Sequence, residues 1–303
     1  VGSAICIGAA IGSFLSGRLS DAYGRKTTLS YLSILFFLAS LGCVLSINAQ
    51  MMIVCRFFLG LAVGGSSTIV PGYLAEIATS QYRGRMVGLM DLVVVFGQFL
   101  AYIVNAIIAI NLGHDPHVWR YILAVTLIPA VLLFLSMLIA KESPRYLVAK
   151  GRISEALEVL KCTHETQAQA IAELNSIKDV LAEQSAAKNL SFKDFTEPWM
   201  KRIFFLGIAL AVTQQVTGVN SIMFYGSQIL THSGFSTDAA LVGNIGNGLI
   251  SVAGALFGLY IVGKIGRRTM LTIGLCGVLT ANILIGVISS TLEGSPLLPY
   301  FIL

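Results

Sequence analysis

Charge is what this sequence has least of. Only 12% of its 303 residues are charged, 55% are hydrophobic and the mean hydropathy is +0.81. Soluble domains carry roughly a quarter charged residues, so an ordinary soluble domain is excluded. Disulfide and metal frameworks are missing too. Cys6, Cys43, Cys55 and Cys276 sit in apolar runs and Cys162 in a polar segment, with no disulfide or zinc spacing among them. His114, His117, His164 and His232 all fall in connections, and no nucleophile–base pair appears, which leaves an enzyme as the least favoured class. No signal peptide is visible. The net charge of +5 and pI near 9.0 come from bases dispersed among short loops, not from a patch suited to nucleic acid.

What is present is a series of apolar runs long enough to cross a bilayer. Their spacing predicts an all-α membrane protein with spans at about 2–19, 28–47, 51–73, 86–110, 119–140, 203–230, 239–262 and 270–290, and a ninth from 297 onward. The connections alternate in charge. Arg18, Arg25 and Lys26 follow the first span, Arg83 and Arg85 the third, and Lys264, Arg267 and Arg268 the seventh. Residues 141–202 hold ten Lys/Arg, whereas the intervening connections carry Asp115, Asp238 or Glu293 and no base. Of twenty Lys/Arg only Arg56 and Arg120 depart from this pattern, so the basic side is expected in the cytoplasm of a multi-pass cell-membrane protein. The first span then runs inward, which implies an earlier span. Val1 opens directly into one run and Leu303 closes inside another, as expected of part of a longer chain.

Segment 141–202 is a different material. Ser154 is a potential cap for a short helix through Leu160, and Ile171, Leu174, Ile177 and Leu181 recur at helical spacing between Thr166 and about Lys188. Two or three amphipathic helices under the membrane are expected. A repeat surrounds this segment: Gly24-Arg25-Lys26-Thr27-Thr28-Leu29 returns 242 residues later as Gly266-Arg267-Arg268-Thr269-Met270-Leu271. The preceding spans share small residues at matching depth, Ala4, Gly12 and Ser16 against Gly246, Gly254 and Gly258. Matched topology points to a duplicated bundle in parallel orientation. In the first span Ala4, Gly8, Gly12, Ser16 and Ser20 form a seam that lets another helix approach closely.

The most polar membrane-depth stretch is Gln214-Gln215-Val216-Thr217-Gly218-Val219-Asn220-Ser221. Helical geometry puts Gln214, Ser221 and Tyr225 on one face, flanked by Gln215 and Asn220. Gly218 weakens the helix where the amides crowd, which suits a span that bends around a bound molecule. Such amides also glue neighbouring helices, though glue needs one or two polar residues rather than five or six.

These pieces resemble the sugar porter branch of the major facilitator superfamily over essentially the whole chain. Gly17-Arg18-Leu19-Ser20-Asp21-Ala22-Tyr23-Gly24-Arg25-Lys26 resembles its first loop motif, and Arg56-Phe57-Phe58-Leu59-Gly60 the start of its fourth helix. Glu76 with Arg83-Gly84-Arg85 resembles that helix's end, Glu142-Ser143-Pro144-Arg145 the motif after the sixth, and Gln214 to Asn220 the seventh-helix signature. The resemblance implies a helical bundle of two parallel-repeat halves, truncated at both ends to helices two to nine and the start of ten. It divides the chain into an N-terminal bundle at 1–140, a cytoplasmic linker at 141–202 and a C-terminal bundle at 203–303.

By position it implies Gln98, Gln214, Gln215 and Asn220 as substrate ligands. Amides both donate to and accept from hydroxyls without a fixed charge. Asp91 stands where many sugar carriers have Gln and where inositol and polyol carriers tend to have an acid. Phe224 and Tyr225 stack on substrate or close an outer gate, with plain packing an equal alternative. The resemblance implies Arg56 and Asp91 as coupling residues. In proton-coupled relatives the counterpart of Arg56 pairs with an acid on the first helix, and Asp91 is expected to bind substrate, to titrate during transport or to pair with an unseen base. Asp21, Arg25, Glu76, Arg83, Arg85, Glu142, Arg145 and Arg267 form an inner gate latch, or serve only to signal topology. Two positions depart from the pattern: Gly263 replaces an acid, and Ser251 an eighth-helix Asn that often binds sugar. The implied function is alternating-access transport of a monosaccharide or inositol-like polyol with proton symport. Facilitated uniport and a non-transporting sugar sensor are the alternatives. No cofactor, metal or nucleic acid enters.

Overall fold

The computed structural model describes residues 2–79, 83–164, 166–186, 197–218, 220, 237–261 and 264–291. They form helices α1 (Gly2–Tyr23), α2 (Arg25–Val44), α3 (Ala49–Ile77), α4 (Arg83–Leu112), α5 (Val118–Ala124) and α6 (Leu127–Ile139). There follow α7 (Pro144–Ala149), α8 (Ile153–Thr163), α9 (Gln167–Ala186), α10 (Pro198–Val216), α11 (Thr237–Ile261) and α12 (Arg267–Thr291). No β-strand occurs among the described residues. Seven of these segments are long and apolar enough to cross a membrane, α5 and α6 counting together as Val118–Ile139. Large side chains point away from the packed interior, with Phe14 70%, Ile139 86% and Phe257 66% exposed, as on surfaces that meet lipid or other apolar protein faces.

The chain falls into two compact units, residues 1–90 with 112–187, and residues 91–111 with 188–303. In the first unit the small residues of α1 decide the packing. Gly8, Gly12, Ser16 and Ser20 are its buried residues. A Cβ at Gly8 or Gly12 would run into the carbonyl oxygens of Phe57 or Leu61 in α3. Reciprocally, a Cβ at Gly60 or Gly64 would strike the carbonyls of Ile5 or Ala9. Two backbones in contact gain dispersion along their whole length, which replaces the hydrophobic effect where lipid surrounds both helices. Below this seam Leu29, Leu32, Ile69 and Tyr73 form a buried cluster, closed by Val70, Ile77 and Met137.

The span expected at 119–140 is broken between α5 and α6. Pro129 has no N–H for the Val125 carbonyl four residues earlier, and its ring crowds that turn. The Thr126 hydroxyl instead donates to the Leu123 carbonyl at 2.7 Å. After α6 come three short helices that share a core of Leu147, Ala156, Val159, Leu160, Ala170 and Leu174. Full burial of each leucine contributes about 1.5–3 kcal/mol by transfer from water, which helps order α7 and α8, too short to stand alone. Ser154 does not cap α8: the helix begins one residue earlier with Arg152 at the cap position. Arg152 instead makes a two-point ion pair to Glu155, at 2.7 Å from Nε and 2.5 Å from a terminal nitrogen.

Candidate functional site

Two polar clusters stand out, one in each unit. The first is built around the single-residue turn from α1 to α2. Gly24 lies in the left-handed region, with φ 99° and ψ 159°, so the chain reverses there without a loop. The first amides of α2 need acceptors. Glu142, remote in sequence, supplies one: its Oε1 accepts from the backbone N–H of Arg25 at 2.8 Å and of Lys26 at 3.0 Å. The same oxygen accepts from the N–H of Ser143 at 2.9 Å. A carboxylate at a helix N-terminus also meets the positive end of the macrodipole. A Cβ on Gly24 would occupy the place of that carboxylate.

Arg25 then turns between two acids. Its Nε lies 3.0 Å from Glu76 Oε2, and a terminal nitrogen donates to Glu76 Oε1 at 3.1 Å and approaches Asp21 Oδ1 at 3.0 Å. The Arg25 and Glu76 side chains are 18% and 16% exposed against 74% for Asp21, so Glu76 is the partner that matters energetically. The Ser143 hydroxyl donates to Glu76 Oε2, the oxygen that Arg25 Nε also meets. Ser143 is fully buried and also caps α7, with Pro144 at the first helical position. The Tyr146 hydroxyl donates to the Ala22 carbonyl at 3.2 Å, and its ring lies under both Arg25 and Lys150.

Of the eight residues expected in the latch, Asp21, Arg25, Glu76 and Glu142 meet directly. Arg145 lines, with Asp21, Arg25 and Glu76, a cavity of about 450 Å³ on this face. Arg85 is exposed in the first turn of α4 and joins none of these pairs. The side chains of Arg83 and Arg267 lie outside the described residues. Ser143 and Tyr146 were not anticipated. The Ser-Pro pair before a helix is the signal that could have found Ser143, as an N-cap followed by proline. Nearby, the Lys141 ammonium is held above the ordinary lysine range, chiefly by its 3.0 Å hydrogen bond to the Cys162 thiol.

The second cluster lies where α10 ends. Within the span expected at 203–230, α10 ends at Val216, Gly218 takes φ 77° and Asn220 is helical again. The Thr217 N–H bonds back to Thr213 at 3.3 Å and the Gly218 N–H to Gln215 at 3.4 Å. Across this break the Asn220 Nδ2 donates to Gln215 Oε1 at 2.6 Å. Gln214 is exposed beside it, and the Thr217 hydroxyl donates to its carbonyl at 2.6 Å. From α12 the Asn282 Nδ2 donates to the Thr217 carbonyl at 3.4 Å, a residue the sequence reading passed over. Phe224, Tyr225 and Ser221 lie outside the described residues.

On α4, Gln98 Nε2 donates to the Tyr102 hydroxyl at 2.9 Å. Asp91 is exposed on the same helix, without an ion pair among the described residues. Gly248 of α11 packs under the rings of Phe99 and Tyr102, where a Cβ would come within 3.0 Å of each. Ser251 does not reach outward; its hydroxyl bonds back to the Asn247 carbonyl at 2.8 Å. Arg56 is half-buried in α3 with no ion pair among the described residues. No group of three metal-ligating side chains occurs among them either.

Helices of spanning length, a glycine seam and amides gathered at a helix break define a multi-pass membrane protein of the major facilitator class. The profile of the sugar (and other) transporter family matches residues 1–300, and the chain belongs to that family. It is 51% identical over 303 residues to the putative metabolite transport protein YfiG of Bacillus subtilis, covering all of this chain and 62% of that protein. It is 47% identical over the same length to the major myo-inositol transporter IolT of Bacillus subtilis, of which it covers 64%. The structure of the proton:xylose symporter XylE from E. coli, bound to 6-bromo-6-deoxy-D-glucose, superposes with a TM-score of 0.84 at 26% identity, over 99% of this chain and 67% of XylE. The chain thus spans under two thirds of the length of these two curated relatives. The family is one of transporters, not enzymes.

Proposed function

We propose that this chain forms the substrate path and inner latch of a secondary transporter for an inositol-like polyol or a monosaccharide, working by alternating access with proton symport. The carrying observation is the break at Thr217–Gly218, where Asn220 donates to Gln215 across the turn and Gln214 lies exposed beside it. Amides already paired across a break exchange that bond for a substrate hydroxyl at little net cost, since one hydrogen bond replaces another. Segments 1–140 and 203–303 act as the two moving bundles and 141–202 as the cytoplasmic linker between them. The basic face is inside by the charge pattern, and the Arg25–Glu76 pair with the Glu142 cap forms the part of the latch held by the first bundle.

Asp91 supports the polyol reading. A carboxylate accepts two hydroxyl hydrogen bonds at once, which matches adjacent hydroxyls on a cyclitol ring. A charge at this depth costs about 2.5–3.5 kcal/mol on insertion scales, a cost that a co-transported proton removes. Two relatives named above transport myo-inositol and, with protons, xylose. Asp91→Gln restores the residue common in sugar carriers. Competition uptake of labelled inositol and glucose by the full-length protein at two pH values is expected to shift toward the hexose and to change its pH dependence. An unchanged preference ratio at both pH values would assign Asp91 to helix packing and remove the cyclitol reading.

A further inference from the structure

The end of α10 has a structural need that the substrate amides do not meet. A helix leaves its last carbonyls without intrahelical partners, and lipid or a dry interior offers no water to replace them. At this end the backbone closes tightly, through the Thr217 and Gly218 amides and a left-handed Gly218. The Thr217 carbonyl points out of the turn and is met from α12 by Asn282. Thr280, two residues earlier on α12, behaves differently: its hydroxyl donates to the Cys276 carbonyl within its own helix at 2.8 Å. Asn282 reaches across to a chain segment 65 residues away.

We infer that Asn282 is a positioning residue, a clasp that holds the broken end of α10 and so fixes where Gln214, Gln215 and Asn220 present their amides. The inference rests on the transporter reading for its purpose, but not for its geometry. Two contacts brace the break, and they differ in kind. The Gln215–Asn220 bond joins two groups that substrate hydroxyls displace. The Asn282 bond goes to a backbone carbonyl and persists with substrate present, so it sets the frame in which the exchange occurs. A cavity of about 400 Å³ adjoins the clasp, with Thr213, Thr217 and Asn282 as its polar lining among valines and leucines. No ionisable side chain is among its described lining residues, so none of these makes the clasp sensitive to pH.

A titratable group placed there supplies the test. Asn282→Ala removes the donor, and Asn282→Asp keeps the shape while replacing the donor with a carboxyl. As a carboxylate it repels the Thr217 carbonyl; protonated, it donates to it. In the full-length protein in proteoliposomes, Asn282→Ala is expected to raise the polyol KM about tenfold at every pH, the scale of one lost hydrogen bond. Asn282→Asp is expected to match it at pH 8 and recover toward the wild-type KM at pH 5. Thr280→Ala, whose bond stays within its own helix, should leave KM unchanged. A wild-type KM in both Asn282 variants, or the same pH profile in both, overturns the clasp. Hydrogen exchange over residues 213–218 reads the same contact without substrate: Asn282→Ala should speed it about tenfold. Unchanged exchange overturns the clasp, whereas a full-length protein that moves no polyol or sugar, with exchange still accelerated, overturns only the transporter reading.

Discussion

At residues 24–29 the chain turns from α1 into α2 through one glycine at φ 99°, and the carboxylate of Glu142 caps the new helix. At 266–271 nearly the same residues open α12, but Gly266 is outside the left-handed region and, among the described residues, only the Thr269 hydroxyl, at 4.0 Å, would touch a Cβ there. Arg25 is gripped by Asp21 and Glu76; in the second copy the neighbouring cation, Lys264, lies 3.5 Å over the Tyr260 ring and meets no acid among the described residues. The repeat therefore encodes where a helix starts, which is local, and not what braces that start. In the first copy the brace comes from Glu142, Ser143 and Glu76, all outside the repeated residues.

The strongest way to break this contrast is to add one methyl group to each copy. Gly24→Ala forces a Cβ into a conformation that costs about 1–3 kcal/mol and displaces the Glu142 carboxylate as well. Gly266→Ala meets open space and an ordinary backbone. Thermal unfolding in detergent should show a drop of several degrees for the first and almost none for the second. Equal losses would mean that the two loops are braced alike.

A smaller effect sharpens the part played by Glu76. Glu76→Gln keeps the size and removes the charge that Arg25 and Ser143 share, which should cost about 1.5–3 kcal/mol for a charged hydrogen-bond partner. Under the transporter reading it also loosens the latch, so cysteine labelling from the basic face should rise. Unchanged labelling would leave these charges only a topological role. The smallest effect is expected in the second copy: Lys264→Ala loses an exposed cation–π contact of about 0.5–1 kcal/mol and should leave the same labelling as wild type.

Legibility in the sequence follows the distance between partners. The four-residue rhythm of Ala4, Gly8, Gly12, Ser16 and Ser20 announces a close helix contact, and α3 fills it through Gly60 and Gly64. Gly218 among amides announces a break, and the helix does stop there. The break at Pro129 was missed because apolar periodicity continues through it, although the missing proline N–H was in plain view. Ser143 and Asn282 were passed over for another reason: their partners lie 67 and 65 residues away, and no local pattern records such a pairing. Glu142 was expected as one charge of the inner-gate latch, and its described bonds go to backbone amides. Charge pattern reveals that a carboxylate will be used, while helix ends determine what uses it.

The central claim is coupled transport of a polyol through the amide cluster, and uptake by the full-length protein in proteoliposomes tests it most directly. With an inward proton gradient, saturable accumulation of labelled inositol is predicted, competed more strongly by unlabelled inositol than by glucose and collapsed by a protonophore. Labelled inositol and glucose that enter no faster than into protein-free vesicles, with or without the gradient, would contradict it.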